Sequence, residues 1–214
     1  MILGIYGSGG AGKGAKEIAV LQNKWSEIVF IDDTVSADVF KGCKRMPFEQ
    51  FCNEYSPTEA EVVIAQGEPE FKKLLFEKVK EKGYSFANVI HPSVYVSPDA
   101  KLGEGIIAQM GCMIAVDTQI GDNVTLEQYV VVAHDSIVEE HAQISAFVMI
   151  AGHCHIGSAT YIGIGVPIRD SIRIGRDSII SMGSVVQRDI PDSVIAMGNP
   201  ARVMKNRDGE RVFK

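Results

Sequence analysis

Ile156-Gly157-Ser158-Ala159-Thr160-Tyr161-Ile162-Gly163-Ile164-Gly165-Val166-Pro167-Ile168 carries an isoleucine at every sixth position, with Thr or Val four places after the first two of them. The beat extends in both directions. Upstream it runs through Ile150, Ile144, Val138, Val132, Leu126, Ile120, Ile114, Ala108, Leu102 and Val96 to Ile90; downstream it continues through Ile174 and Ile180 to Val186. The residue four places on is mostly small or β-branched, as at Val94, Ala100, Cys112, Thr118, Val124, Ser136, Ala142, Cys154, Thr160, Ser178 and Ser184. A period of six cannot be helical, because 3.6 residues per turn would carry the apolar positions around the axis. Three short strands per coil, with a turn after each, satisfy it. The leading aliphatic then points inward and stacks on its equivalents in neighbouring coils, burying a continuous column as in other solenoids. Glycine often follows the leading residue, at Gly103, Gly121, Gly157, Gly163 and Gly175. A corner requiring φ > 0 is the expected reason.

Residues 1–84 read differently. Ile2–Tyr6 is expected as a strand, 7–14 as a glycine loop, and 15–22 as a helix. Glu27–Ile31 is a second strand ending at Asp32-Asp33. Residues 61–65 form a third strand, and 70–82 a polar-faced helix. Alternating strands and helices predict a small parallel sheet. The expected organisation is therefore an α/β unit over 1–84 and an all-β coil over 85–214. Gly7-x-Gly9-x-x-Gly12 matches a dinucleotide fingerprint with Asp32 twenty residues on, but three strands make only half such a fold. Gly7-x-x-x-x-Gly12-Lys13 mimics a P-loop, yet Gly14 stands where Ser or Thr must hold magnesium. The physics common to both is an anion beside free N–H groups at a helix N-terminus, which suits a nucleotide-sugar diphosphate.

The hexad resembles the left-handed β-helix of hexapeptide acyltransferases. The left hand is implied by that resemblance, as are parallel trimers with reaction clefts between subunits. Both halves together resemble the bacterial sugar acyltransferases that include UDP-4-amino-sugar N-acetyltransferases and sialic acid O-acetyltransferases. The resemblance rests on Tyr6-Gly7-Ser8-Gly9-Gly10-Ala11-Gly12, Phe30-Ile31-Asp32-Asp33, Ile90-His91-Pro92-Ser93, Ala133-His134-Asp135-Ser136 and Gly198-Asn199-Pro200-Ala201-Arg202. It implies acetyl-CoA as co-substrate and a nucleotide sugar as acceptor. His134 matches the general base and Asp135 its acid, although neighbours on a strand face opposite ways, so the pairing requires a bend. Gly9, Gly10, Ala11, Asp32, Asp33 and Gly67 match the nucleotide-sugar site. Gln143, Gly152, Ile164 and Met182 match the cofactor site. The family carries histidines where Ala11 and Gln143 stand.

Of the other histidines, His91 before Pro92 in the connector 83–92 and His141 at an exposed hexad position are expected to be structural or surface residues. Two rival classes remain. A zinc enzyme like the γ-type carbonic anhydrases would need His134, His153 and His155 as ligands, a spacing unlike that family's. A non-catalytic module that binds nucleotide sugar is compatible with the Ala11 and Gln143 departures. Composition bounds the rest. The 214 residues are 46% hydrophobic and 22% charged, with a net charge of −6 and no basic run to track a phosphate backbone, which argues against nucleic acid. No apolar stretch reaches membrane-span length, and the N-terminus has no basic n-region of a signal peptide. Cys43, Cys52, Cys112 and Cys154 show no CxxC spacing and are expected as free thiols in a reducing cytoplasm.

Overall fold

β1 (Ile2–Tyr6) leads directly into α1 (Gly10–Gln22), followed by β2 (Glu27–Ile31), β3 (Asp38–Phe40), β4 (Cys43–Met46), α2 (Phe48–Glu54), β5 (Ala60–Ile64), α3 (Pro69–Glu81) and β6 (Ser85–Phe86). The computed structural model describes residues 1–213. The sheet order is β3-β4-β2-β1-β5-β6, parallel except for the β3–β4 pair. Leu3, Ile5, Phe30 and Val63 pack with Ala15 and Ile18 of α1 on one face. Tyr6, Ile31, Val62 and Ile64 pack with Phe48, Phe51 and Phe76 on the other. A sheet covered on both faces explains the near-continuous apolar strands.

Three features depart from expectation. The sheet has six strands, because a hairpin turning at Lys41 and Gly42, both at φ > 0, adds β3 and β4, and β6 adds the far edge. β3 is mostly exposed and only three residues long, too short to announce itself by alternation. The glycine loop is shorter than expected, Gly7–Gly9, since α1 already begins at Gly10. Gly7 turns at φ +121°, and a Cβ on Gly12 would strike its carbonyl, so this pair fixes the tight entry into the helix.

From Val89 onward, two-residue parallel strands wind around three faces. The first holds Val89–Ile90, Ile107–Ala108, Thr125–Leu126, Gln143–Ile144, Tyr161–Ile162 and Ile179–Ile180. The second holds Tyr95–Val96, Met113–Ile114, Val131–Val132, Met149–Ile150 and Pro167–Ile168. The third holds Lys101–Leu102, Gln119–Ile120, Ile137–Val138, His155–Ile156 and Arg173–Ile174. Each strand pairs eighteen residues on, as Leu126 with Ile144 and Ile144 with Ile162. From Ile106 to Val186 the inward residues form one core, nearly all fully buried. A hairpin of Val194–Met197 and Arg202–Asn206 closes the last coil.

The corners correct the expected role of glycine. The left-handed residue lies three places after the leading aliphatic, and most are not glycine. Tyr129, Phe147 and Gly165 turn the first corner, Asp117, Asp135 and His153 the second, and Asn123, His141 and Ala159 the third. The glycines directly after the aliphatics are needed for a different reason. A Cβ on Gly121 would lie 2.6 Å from the backbone nitrogen of Glu140 in the next coil, and the other four meet similar clashes. They permit close stacking of coils; they do not supply φ > 0.

The first face carries the α/β unit. Lys72 on α3 is fully buried, its Nζ donating to Thr125 Oγ1 (2.9 Å) and to the Ala142 carbonyl (3.2 Å). Desolvation pushes its pKa down to about 7. His141, expected to be exposed, is buried. The third corner lies beneath α3, where the ring meets the edge of Phe76 and Nδ1 sits 3.1 Å from Asn123 Nδ2. Burial, then the nearby Lys72 cation, holds that imidazole below its usual range. Asp33 locks the other end of the sheet, accepting from Lys78 Nζ (2.6 Å), Tyr6 Oη (2.6 Å) and the Phe48 N–H (2.8 Å) that opens α2. Partial burial raises its pKa, but the Lys78, Tyr6 and Phe48 bonds outweigh this and hold it below the ordinary carboxylate range.

Two outcomes follow from this packing. Gly121→Ala should destabilise the chain by about 1–3 kcal/mol, the usual cost of overpacking, whereas Gly9→Ala, whose Cβ meets nothing, should be close to neutral in urea unfolding. Asp33→Asn should lower the melting temperature at pH 7. Because the folded pKa lies below the unfolded value, that deficit should close as pH falls from about 4 through the folded pKa in thermal melts.

Candidate active site

His134 stands at the second corner, between the strands Val131–Val132 and Ile137–Val138. Asp135, the next residue, takes φ +56°, and this bend swings its carboxylate back so that Oδ2 lies 2.8 Å from His134 Nδ1. The pairing that an extended strand would forbid is thus made by the corner itself. A carboxylate on Nδ1 places that nitrogen's proton toward Asp135 and leaves Nε2 with its lone pair free. The ring is half exposed and lies over Gly152 one coil away, where a Cβ would come within 2.6 Å of His134 Cε1. Any side chain at Gly152 would push the imidazole off this position.

His153 meets the His134 ring edge-on at 5.1 Å, its Nε2 lying 3.9 Å from Asp135 Oδ2. His134, Asp135 and His153 thus offer ligand atoms within 4.8 Å of one another. His155 does not join them. It sits on the third face, paired to Glu139 (2.5 Å) and 3.3 Å from an Arg173 nitrogen.

A second region lies between the α/β unit and the first face. A cleft of about 310 Å³ is lined by Gly10, Ala11, Gln66 and Gly67 on one side and by Gln109, Thr125, Glu127 and Gln143 on the other. Gly9 is the N-cap of α1 without a side-chain cap, so the first N–H groups of that helix are free for an anion. A Cβ on Gly9 or Gly10 would meet no neighbour, so packing does not account for these two glycines. Asp32, at the end of β2, accepts from Ser8 Oγ and from the backbone and hydroxyl of Thr34 (3.0 and 2.6 Å). Partial desolvation opposes ionisation, but the Ser8 and Thr34 bonds prevail and the pKa is lowered. Asp32 is anionic at neutral pH but shares its oxygens with this loop, and Asp33 is wholly engaged in the fold.

Gln143, Ile164 and Met182 do not lie together with Gly152. Gly152 is beside His134, and Gln143 faces the cleft. Ile164 and Met182 stack in consecutive coils at the first corner, 46% and 70% exposed. His134 and the cleft therefore occupy different edges of one prism. The C-terminal segment, unmarked by any sequence signal, adds to the cleft region. Buried Arg207 pairs with buried Glu68 (3.3 Å), which also accepts from the N–H of Val212 (2.9 Å), and Phe213 covers Gly67.

The PglD N-terminal domain family matches residues 3–79, and the bacterial transferase hexapeptide family, six repeats, matches residues 117–152. The acetyltransferase domain of PglB from Neisseria gonorrhoeae, solved also in complex with acetyl coenzyme A, superimposes with a TM-score of 0.91 at 28% identity. That alignment covers 95% of this chain and 99% of that one. PerB from Caulobacter crescentus, in complex with CoA and GDP-perosamine, gives a TM-score of 0.82 at 30% identity, covering 95% and 97%. A perosamine N-acetyltransferase from Caulobacter crescentus carrying the substitution H141N gives 0.87 at 29%, covering 96% and 98%. Identity at this level over nearly the whole length, with the six-residue coil and the α/β cap both in place, means that the chain belongs to the left-handed β-helix, hexapeptide-repeat family of sugar acyltransferases.

Proposed function

We propose that this protein transfers the acetyl group of acetyl-CoA to the amine of a nucleotide-linked amino sugar, with His134 as general base and Asp135 as its orienting acid. The observation that carries this reading is the Asp135–His134 bond at a left-handed corner, which leaves Nε2 free to take a proton. In the transfer, the amine nitrogen attacks the thioester carbonyl carbon and His134 Nε2 accepts the amine proton. The C–N bond forms, the C–S bond breaks as the tetrahedral intermediate collapses, and the departing sulfur is protonated to the free thiol of CoA. An imidazole oriented by a carboxylate is a common general base for this kind of proton transfer.

The nucleotide sugar is assigned to the cleft of Gly10, Ala11 and Gly67. Its diphosphate is assigned to the N-terminus of α1 at Gly9 and Gly10, and Asp32, which does not line the cleft but is bonded to Ser8 in the adjoining turn, to the nucleoside. PerB was solved with CoA and GDP-perosamine, and PglB with acetyl coenzyme A, which supports the same two substrates here. Gly152, Ile164 and Met182 are assigned to acetyl-CoA.

A homotrimer reconciles the separated parts. The first face is covered by the α/β unit and the outward residues of the third are mostly polar. The second presents Tyr95, Met113 and Met149, 57%, 42% and 52% exposed, and is bordered at the first corner by the stacked rings of Tyr129 and Phe147. Exposed apolar area of this kind marks an interaction surface. Turning the second face toward a threefold axis brings the second corner of one copy, with His134, against the first corner of the next, with Ile164 and Met182. The cleft of that neighbour opens beside it. Four free thiols are consistent with a reducing cytoplasm.

His134→Ala should lower kcat about 10²–10⁴-fold in a thiol-release assay with acetyl-CoA and a nucleotide amino sugar, leaving acetyl-CoA binding by calorimetry intact. Near-wild-type turnover would remove His134 from the mechanism. Met113→Glu with Met149→Glu should convert a trimer to monomers in sedimentation and abolish turnover while the circular dichroism spectrum persists.

A further inference from the structure

On the reading that the cleft takes the nucleotide amino sugar, we infer that Gln143 recognises the sugar's amine through its side-chain carbonyl, and that Glu127 is the positioning residue that turns that carbonyl toward the ligand. Gln143 lies on the first face opposite Gly10 and Gly67, only 2% exposed, so its amide is withdrawn from bulk water. Its Nε2 donates to Glu127 Oε1 at 3.1 Å, whereas its Oε1 has no hydrogen-bond partner among the described residues. A buried carbonyl without a donor is costly, and a ligand N–H is the group that satisfies it.

The orientation of this amide is determined by its neighbour. The Glu127 carboxylate accepts only, and its second oxygen is held by the N–H of Ala146 at 3.1 Å. Turning the amide over would set two oxygens against each other, so Oε1 is kept on the side away from Glu127. Lys72, buried behind Thr125, is bonded to Thr125 and Ala142 and to neither member of this pair, and its charge favours the Glu127 carboxylate that accepts from Gln143. Direction along the cleft supplies the rest. With the diphosphate at the N-terminus of α1, the sugar ring extends toward the first-face wall, where Glu127 and Gln143 stand. A neutral carbonyl suits a neutral amine, holding one N–H while the nitrogen lone pair stays available to attack. A histidine there would offer a single ring nitrogen in a tautomer set by its surroundings. Glutamine offers a dedicated acceptor. On this inference Gln143 serves the acceptor sugar, a role distinct from the acetyl-CoA contact that family resemblance implies.

The test compares wild type with Gln143→Leu, Glu127→Leu and Glu127→Gln, each first shown to melt as a folded protein. The steady-state substrates are a nucleotide 4-amino sugar, its 4-hydroxy counterpart, and acetyl-CoA. Gln143→Leu and Glu127→Leu should raise the amino-sugar KM about 10–100-fold with kcat within about threefold and the acetyl-CoA KM unchanged. Glu127→Gln, which keeps an acceptor oxygen for Nε2, should recover most of that loss. The hydroxy counterpart, whose O–H can donate to the same carbonyl, should lose affinity in parallel. A rise in acetyl-CoA KM with an unaltered amino-sugar KM would overturn the inference while leaving the proposed reaction standing. Wild-type protein that neither binds nor acetylates any nucleotide amino sugar would overturn both.

Discussion

Coils wound from two-residue strands hold together only because each inward aliphatic lands on its counterpart eighteen residues away. Strands so short have little pairing energy of their own, and the column from Ile106 to Val186 supplies what they lack by taking its apolar area out of water. The same constraint dictates the corners. A chain that must turn after every sixth residue, with coils one strand spacing apart, needs a left-handed backbone at one position and no side chain at another. The first need is met by Asn, Asp, His and even Tyr or Phe. The second is met by glycine alone wherever neighbouring backbones close in, as beneath Gly121.

The chemistry is a by-product of that geometry. A left-handed residue reverses the direction in which side chains emerge, so consecutive His134 and Asp135 can face one another. Elsewhere on the prism the same corner conformation serves structure. His141 turns inward beneath α3, and Tyr129 stacks on Phe147. Which corner stays accessible depends on what lies against it. The third is closed by the α/β unit, while the second stays open and carries Gly152 as a floor for the imidazole.

Acidic and amide groups in the cleft behave differently from those at the sheet's end. Asp33 is held ionised by Lys78, Tyr6 and the start of α2, and it serves the fold. Glu127, partly buried and raised in pKa by desolvation, spends its oxygens on Gln143 and Ala146. It faces no cation within bonding distance and acts by orienting an amide. The two carboxylates thus have opposite shifts: Asp33 is the more exposed and is bonded by a lysine, whereas Glu127 is the more deeply buried and is bonded only by N–H donors.

Sequence alone determined the coil and the α/β unit before it, because a strict six-residue period and a glycine-rich strand-to-helix turn are local patterns that leave few folds open; His134 and Asp135 entered as candidates through family resemblance. The resemblance also implied histidines where Ala11 and Gln143 stand. Sequence could not show why glycine follows the aliphatics, since the obstacle is backbone eighteen or so residues away. Nor could it show that His141 is buried, that β3 and β4 extend the sheet, or that Glu68 and Arg207 meet across most of the chain. Tertiary structure decided that the cleft and His134 lie on different edges of one prism, and that Gln143 faces the cleft. The reason is common to all of these: a hexad position specifies inward or outward, but what an outward side chain meets depends on which element packs on its face, and that contact is written in no local period.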